Sequence, residues 1–211
     1  SEQLNIQLFL LCMLAALLCR RLGKISSLRI ICGMLRTMIY VGVYIGWGIS
    51  IYKRVIQKSV RNVLIFIAEL IIFWFVVRTT KYFFTMDNQI ARYLWYSYYI
   101  PMLFIPVAVL QAAFFLGKSE EYRLPKWLKG VYIPTAVLVL LVLSNDLHQL
   151  VFSFPVGSAW SDSHYTYGWG YYVVLVWEVV CALTAFVLMI YKCRHSQKKK
   201  YLPLLGIGAA V

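Results

Sequence analysis

Charged side chains are scarce in this chain. They make up 14% of its 211 residues, while hydrophobic residues make up 62%; an ordinary soluble domain carries about 25% and 45–50%. A water-soluble fold of this size has nowhere to bury so much apolar surface. Closely paired cysteines are missing too. Cys12, Cys19, Cys32, Cys181 and Cys193 stand in or beside apolar stretches with no CxxC among them, so neither a disulfide framework nor a zinc site is indicated. A serine elbow, an HExxH pair and a phosphate-cradling glycine loop are absent, and with them the readily recognised catalytic motifs. The chain is therefore expected not to be an enzyme, and no metal or cofactor is expected. Its lysines flank the apolar segments, leaving none within a helix for a retinal Schiff base. No internal repeat is visible, and the proline-bearing segments are neighbours in sequence, unlike the matched halves of many secondary transporters.

What remains is a series of apolar segments: Leu4 to Cys19, Ile30 to Tyr52, Asn62 to Phe84, Tyr93 to Leu116, Trp127 to Leu143, Trp169 to Tyr191, and a truncated one from Tyr201. Several approach or exceed the roughly 17–25 residues needed to cross a hydrocarbon core. Backbone groups in lipid must be satisfied internally, so the fold class is all-α, a polytopic membrane helix bundle of about seven segments. Leu4 to Cys19 lacks the basic region and cleavage site of a signal peptide. Since the chain opens on Ser1 and stops at Val211 within an apolar run, it is expected to be an excerpt of something longer. Residues 1–36 read as an extra apolar segment and basic loop, and residues 37–211 as the bundle proper.

The formal charge of +13 would suggest nucleic acid in a soluble protein. Here Lys and Arg cluster between the apolar segments, as they do when charge fixes topology, and no nucleic-acid partner is expected. Loops on one side carry Arg20, Arg21, Lys24, Arg29, Arg36, Arg78, Lys81 and Arg92. Those on the other carry Lys53, Arg54, Lys58, Arg61, Lys118, Arg123, Lys126, Lys129, Lys192, Arg194, Lys198, Lys199 and Lys200, eight charges against thirteen. The richer side is expected to be cytoplasmic, in the cell membrane, with the loop 144–168 outside. That loop holds no Lys or Arg, in agreement, whereas the loop after the first segment holds five charges and disagrees. Tyr93, Trp95, Tyr96, Tyr98 and Tyr99, with Trp169, Tyr171 and Tyr172, form an aromatic belt on the outer side. Pro101, Pro106 and Pro134 are expected to kink their helices, and the GxxxG of Gly42 and Gly46 allows close helix approach.

The outer loop carries the most chemistry. Ser144 or Asn145 can cap a helix, and Leu147, Leu150, Val151 and Phe154 follow helical spacing before Pro155 ends it, which predicts a short amphipathic helix on the surface. It is a lid over the bundle in one reading; in the other, Asn145, Asp146 and His148, joined by Trp160, Tyr165 and Tyr167, contact a small-molecule ligand. Asp162 and His164 would complete four metal-ligand types with Asp146 and His148, but in no compact zinc spacing. Glu69 and Glu178 fall inside apolar segments. A carboxylate at mid-bilayer costs a few kcal/mol, so such residues are functional candidates by default. They support an alternative, a small transporter or channel with a polar path, and a membrane-embedded enzyme is a third reading.

Three stretches carry a family resemblance: Tyr93-Leu94-Trp95-Tyr96 leading to Ile100-Pro101-Met102-Leu103-Phe104-Ile105-Pro106; Ile133-Pro134; and Leu143 to Phe152 followed by the aromatic Tyr165 to Tyr172. From about Met38 to Val211 the chain resembles the seven-transmembrane N-terminal sensor region of bacterial histidine kinases. In that family an asparagine and a histidine equivalent to Asn145 and His148 stand outside, after the fourth helix, in an Asn-Pro-Leu-His type motif. Asp146 takes the place of the proline here, and Gln149 that of a second histidine. The resemblance implies that the second to sixth segments are the family's first five helices, and that the segment from Tyr201 begins its sixth. It implies a sensory receptor in the lipid bilayer, signalling to a cytoplasmic output module that this chain does not contain; a second copy of the chain, in a homodimer, is a further expected partner.

Overall fold

In hydrocarbon each peptide N–H and C=O has to find its partner within the chain, and an α-helix provides that locally. The computed structural model, which describes residues 2–25, 28–84, 88–119, 121–155 and 164–195, is built that way. Helices α1 (Glu2–Leu22), α2 (Arg29–Arg54), α3 (Lys58–Thr79), α4 (Asn88–Tyr96), α5 (Tyr99–Phe115), α6 (Lys126–Gly130), α7 (Tyr132–Leu143), α8 (Asn145–His148) and α9 (Trp169–His195) follow one another. Between α8 and α9 lies an antiparallel pair, β1 (Phe152–Ser153) and β2 (Thr166–Tyr167), in which Phe152 faces Tyr167. The protein is an all-α, multi-pass membrane protein. Among the described residues, six stretches are long and apolar enough to cross a bilayer: Asn5–Leu22, Arg29–Arg54, Lys58–Phe83, Asn88–Phe115, Lys126–Leu143 and Trp169–Lys192. They coincide with the first six apolar segments of the sequence, and the segment from Tyr201 lies outside the described residues.

The centre of the bundle is α5. It is apolar on every side, from Leu103, Ile105 and Val107 to Leu110, Ala112 and Phe115, as a helix surrounded by others must be. Helices α3, α7 and α9 each pack on it, α2 packs on α3, and α1 packs on α2. One apolar stripe of α9, Val174, Cys181, Ala185 and Met189, is buried. Other positions, such as Val176, Leu183 and Val187, are exposed.

Two of the three prolines interrupt a span. Pro101 has no N–H to offer the Ser97 carbonyl four residues back; Ile100 N–H takes that oxygen instead at 3.2 Å, and the helix breaks between α4 and α5. Pro134 likewise leaves Gly130 without its helical donor, and the chain breaks at Val131 between α6 and α7. Pro106 sits within an uninterrupted α5. The GxxxG face stands open: a Cβ at Gly42 or Gly46 would meet nothing within 4 Å among the described residues. The far end of α5 closes on Gly117, whose φ of +75° is the left-handed conformation that ends helices. There Lys192 of α9 donates through Nζ to the carbonyls of Ala113, Phe114 and Leu116 at 2.7–3.0 Å, a cation on the negative end of the α5 dipole. After Thr79 the chain widens into a π-helical turn, Thr80–Phe84. Lys81 does not flank the third segment but lies near its end and is buried in this turn, 4.6 Å from the Tyr82 ring.

Polar contacts between helices are few and specific. Tyr132 donates to Gln111 Oε1 at 3.1 Å, and Trp177 Nε1–H donates to Thr135 Oγ1 at 3.1 Å, tying α9 to α7. Thr135 is fully buried and its own hydroxyl donates to the Val131 carbonyl at 2.8 Å. Thr135→Val keeps the shape and removes the acceptor, leaving the indole N–H unpaired. We expect a loss of about 1 kcal/mol, the scale of hydrogen bonds between membrane helices, measured by unfolding in mixed micelles, with Thr135→Ser close to wild type.

Candidate functional site

At the end of the bundle where α4 begins and α7 ends, one side chain organises the connection. Asn145, the first residue of α8, is fully buried. Its Oδ1 accepts from Val151 N–H at 3.0 Å and Phe152 N–H at 2.9 Å. Its Nδ2 donates to the Phe152 carbonyl at 2.8 Å and to Tyr96 Oη at 3.1 Å. The amide's two donors and two acceptor sites are thus all used. It turns the chain back after one helical turn, which replaces the amphipathic helix expected over 144–154. Gln149 adopts the left-handed conformation at φ 50°, and its Oε1 accepts from Phe154 N–H at 3.2 Å. The apolar residues therefore separate: Val151 and Phe152 are wholly buried, while Leu147 is 88% exposed. Ser144 does not cap α8 through its side chain; its hydroxyl donates back to the Leu140 carbonyl at 2.7 Å.

Asp146 points to α4. Tyr96, buried on α4, donates to Asp146 Oδ1 at 2.7 Å, and Arg92, one turn earlier on the same face, pairs with Oδ2 at 2.6 Å. Both partners of this ion pair are about one-fifth exposed, and Arg92 also lies over the Phe154 ring at 5.8 Å. The Nε of Arg92 is buried and has no hydrogen-bond partner among the described residues. His148 is held at both ring nitrogens: Leu150 N–H donates to Nδ1 at 3.0 Å, while Nε2 lies 3.1 Å from the Leu141 carbonyl and 3.2 Å from Ser144 Oγ. A backbone donor at Nδ1 assigns the proton to Nε2 in the neutral ring.

An aromatic cluster covers this network. Phe152 lies 4.5 Å from Trp95, 5.7 Å from Tyr99, 5.5 Å from Tyr165 and 5.9 Å from Tyr171, centroid to centroid. Tyr167 stacks on Tyr171 at 4.1 Å. Gly168 N–H and Gly170 N–H donate to the carbonyls of Val151 and Leu150 at 2.9 and 3.0 Å, fastening the start of α9 to the turn. Ends of α4, α7 and α9 thus meet on one short segment.

Of the residues singled out by sequence, Asn145, Asp146, His148, Tyr165 and Tyr167 come together here, and Trp160 lies outside the described residues, as does Asp162. Glu69 and Glu178 stand elsewhere. Glu69 is exposed on α3, and Glu178 is half-buried on α9 within electrostatic reach of Tyr99 and Tyr171. Each of these two helices packs on α5, and no hydrogen bond or ion pair joins the carboxylates among the described residues. By sequence Arg92 is a topology charge and Tyr96 a belt aromatic. Their i, i+4 spacing ahead of Asn145-Asp146 was the available signal, but only the fold shows that α4 and α8 meet.

No curated protein and no solved structure matches the chain. The family model for the N-terminal 7TM region of histidine kinase matches residues 30–211, which takes in α2 to α9 and leaves α1 before it. This chain belongs to the family of N-terminal seven-transmembrane regions of histidine kinases.

Proposed function

We propose that this region is the sensing part of a bacterial receptor in the cell membrane, with the β1–β2 end outside. It passes a signal read there to a cytoplasmic output module elsewhere in the full-length protein. The region itself is not catalytic in this reading; it works as a homodimer, and its signal is a small molecule or a state of the membrane. The observation that carries the proposal is the Arg92–Asp146–Tyr96–Asn145 network, because it links α4, α8 and the segment that holds α9. A ligand meeting the partly exposed Arg92 guanidinium, or the exposed ring of Tyr167 beside half-buried Tyr165, would bear on three helices at once. It would shift their arrangement by as much as it binds the two arrangements unequally.

The test is Asp146→Asn in the complete receptor, with output read as kinase autophosphorylation in membrane vesicles across a stimulus range. The amide keeps an acceptor for Tyr96 and loses the charge for Arg92. The expected result is a displacement of the response midpoint by roughly 5- to 150-fold, the usual range of coupling between sites, with Arg92→Gln displaced the same way. Wild-type response in both variants at wild-type membrane levels would overturn the proposal.

A further inference from the structure

We propose that a second site, the cleft between α2 and α3 at the end of the bundle where α4 begins, binds a phosphate-bearing anion. Its volume is about 380 Å³, within the range of small-molecule sites, roughly 300–1,000 Å³. Arg29, Arg36 and Arg78 line it, and no Asp or Glu among the described residues does. None of the three arginines has a carboxylate partner among the described residues. Tyr40 and Phe75, 5.0 Å apart, belong to its aromatic wall.

Three like charges around one cavity repel, and half-buried Arg36 carries a desolvation cost as well. An anion between them offsets both terms. A planar carboxylate presents two oxygens and is saturated by one guanidinium fork. Three forks call for a group with more oxygens and more charge, which a phosphate supplies. Arg29 opens α2, Arg36 lies about 10 Å along it, and Arg78 is in the last turn of α3. The cleft is also shaped by the π-helical turn, which contributes Tyr82 and Phe83; such turns recur at functional sites. The proposal does not rest on the sensing reading. The phosphate comes from a lipid of the adjoining leaflet or from a soluble phosphate ester, and the two are separable.

The full chain, purified in detergent, is titrated with glycerol 3-phosphate at constant ionic strength, following its melting temperature. In parallel, retention of phosphatidylglycerol is measured by native mass spectrometry. Wild type is compared with the Arg36→Gln/Arg78→Gln double variant, with Arg36→Lys/Arg78→Lys, and with Lys53→Gln/Arg54→Gln at the opposite end of α2. Binding of one probe should fall roughly 10- to 100-fold per lost charged contact in the glutamine pair. It should fall less in the lysine pair, which keeps charge without the fork, and stay unchanged in the Lys53/Arg54 control. Response to glycerol 3-phosphate identifies a soluble ligand, and retention of phosphatidylglycerol alone identifies a lipid. Wild type that binds neither probe, or a control that loses as much as the glutamine pair, overturns the proposal. Equal melting temperatures without probe establish that the variants fold.

Discussion

Replacing Asn145 by alanine is expected to cost about 2–5 kcal/mol, among the largest effects of any single side chain in this protein. The amide is fully buried and serves four partners: two backbone N–H groups, one carbonyl and one phenol. Alanine leaves the Val151 and Phe152 N–H groups facing an apolar cavity. Each unsatisfied buried donor costs about 1–3 kcal/mol, and the loss of the Tyr96 contact loosens the acceptor of the Arg92 pair. Leu147→Ala, two residues away, provides the contrast. By helical spacing Leu147 belongs to an apolar face, yet it is 88% exposed, and the substitution should change stability by less than about 0.5 kcal/mol. Unfolding in mixed micelles measures both. Equal losses at the two positions would mean that the segment folds as an amphipathic helix after all.

Gly168→Ala is expected to cost about 3 kcal/mol or more, beyond the usual overpacking loss. A Cβ built at this position would overlap the Leu150 carbonyl oxygen. Both atoms belong to the backbone or sit next to it, so no side-chain rotation relieves the contact. The chain would have to separate, giving up the Gly168 and Gly170 hydrogen bonds to Val151 and Leu150 and with them the link between α9 and α8. The readouts are the melting temperature and near-ultraviolet dichroism of the surrounding aromatic rings. A Gly168→Ala protein that keeps both at wild-type values would show that this approach is not close in the folded protein.

The two substitutions act at points that differ in how visible they are in the sequence. Asn145 and His148 stood out through their motif, and Asp146 through its place between them. What each residue does was hidden, because it depends on partners about 50 positions away, as with Tyr96 and Asp146. Arg92 shows the same limit. It counts among the eight charges of the less basic side, where a tally by loops treats it as a topology signal; the fold makes it the counter-ion of a carboxylate at 2.6 Å. Arg29, Arg36 and Arg78 are three more of those eight. Their convergence on one cleft supplies a local reason for positive charge at an end where the loop rule expects little.

By itself the sequence determined that this chain is a membrane helix bundle, where its spans run and which prolines stand in them. Those features follow from short-range physics: hydrocarbon forces backbone satisfaction within each segment, and the segment lengths match its thickness. Only the tertiary structure decided that residues 144–154 form one helical turn and a strand. A buried amide, bonded to Val151 and Phe152 and to Tyr96 on another helix, outweighs the local i, i+3, i+4 pattern of Leu147, Leu150 and Val151. Only the tertiary structure gathered Arg92, Asp146 and Tyr96 into one network and three arginines into another, because both depend on which helices lie side by side.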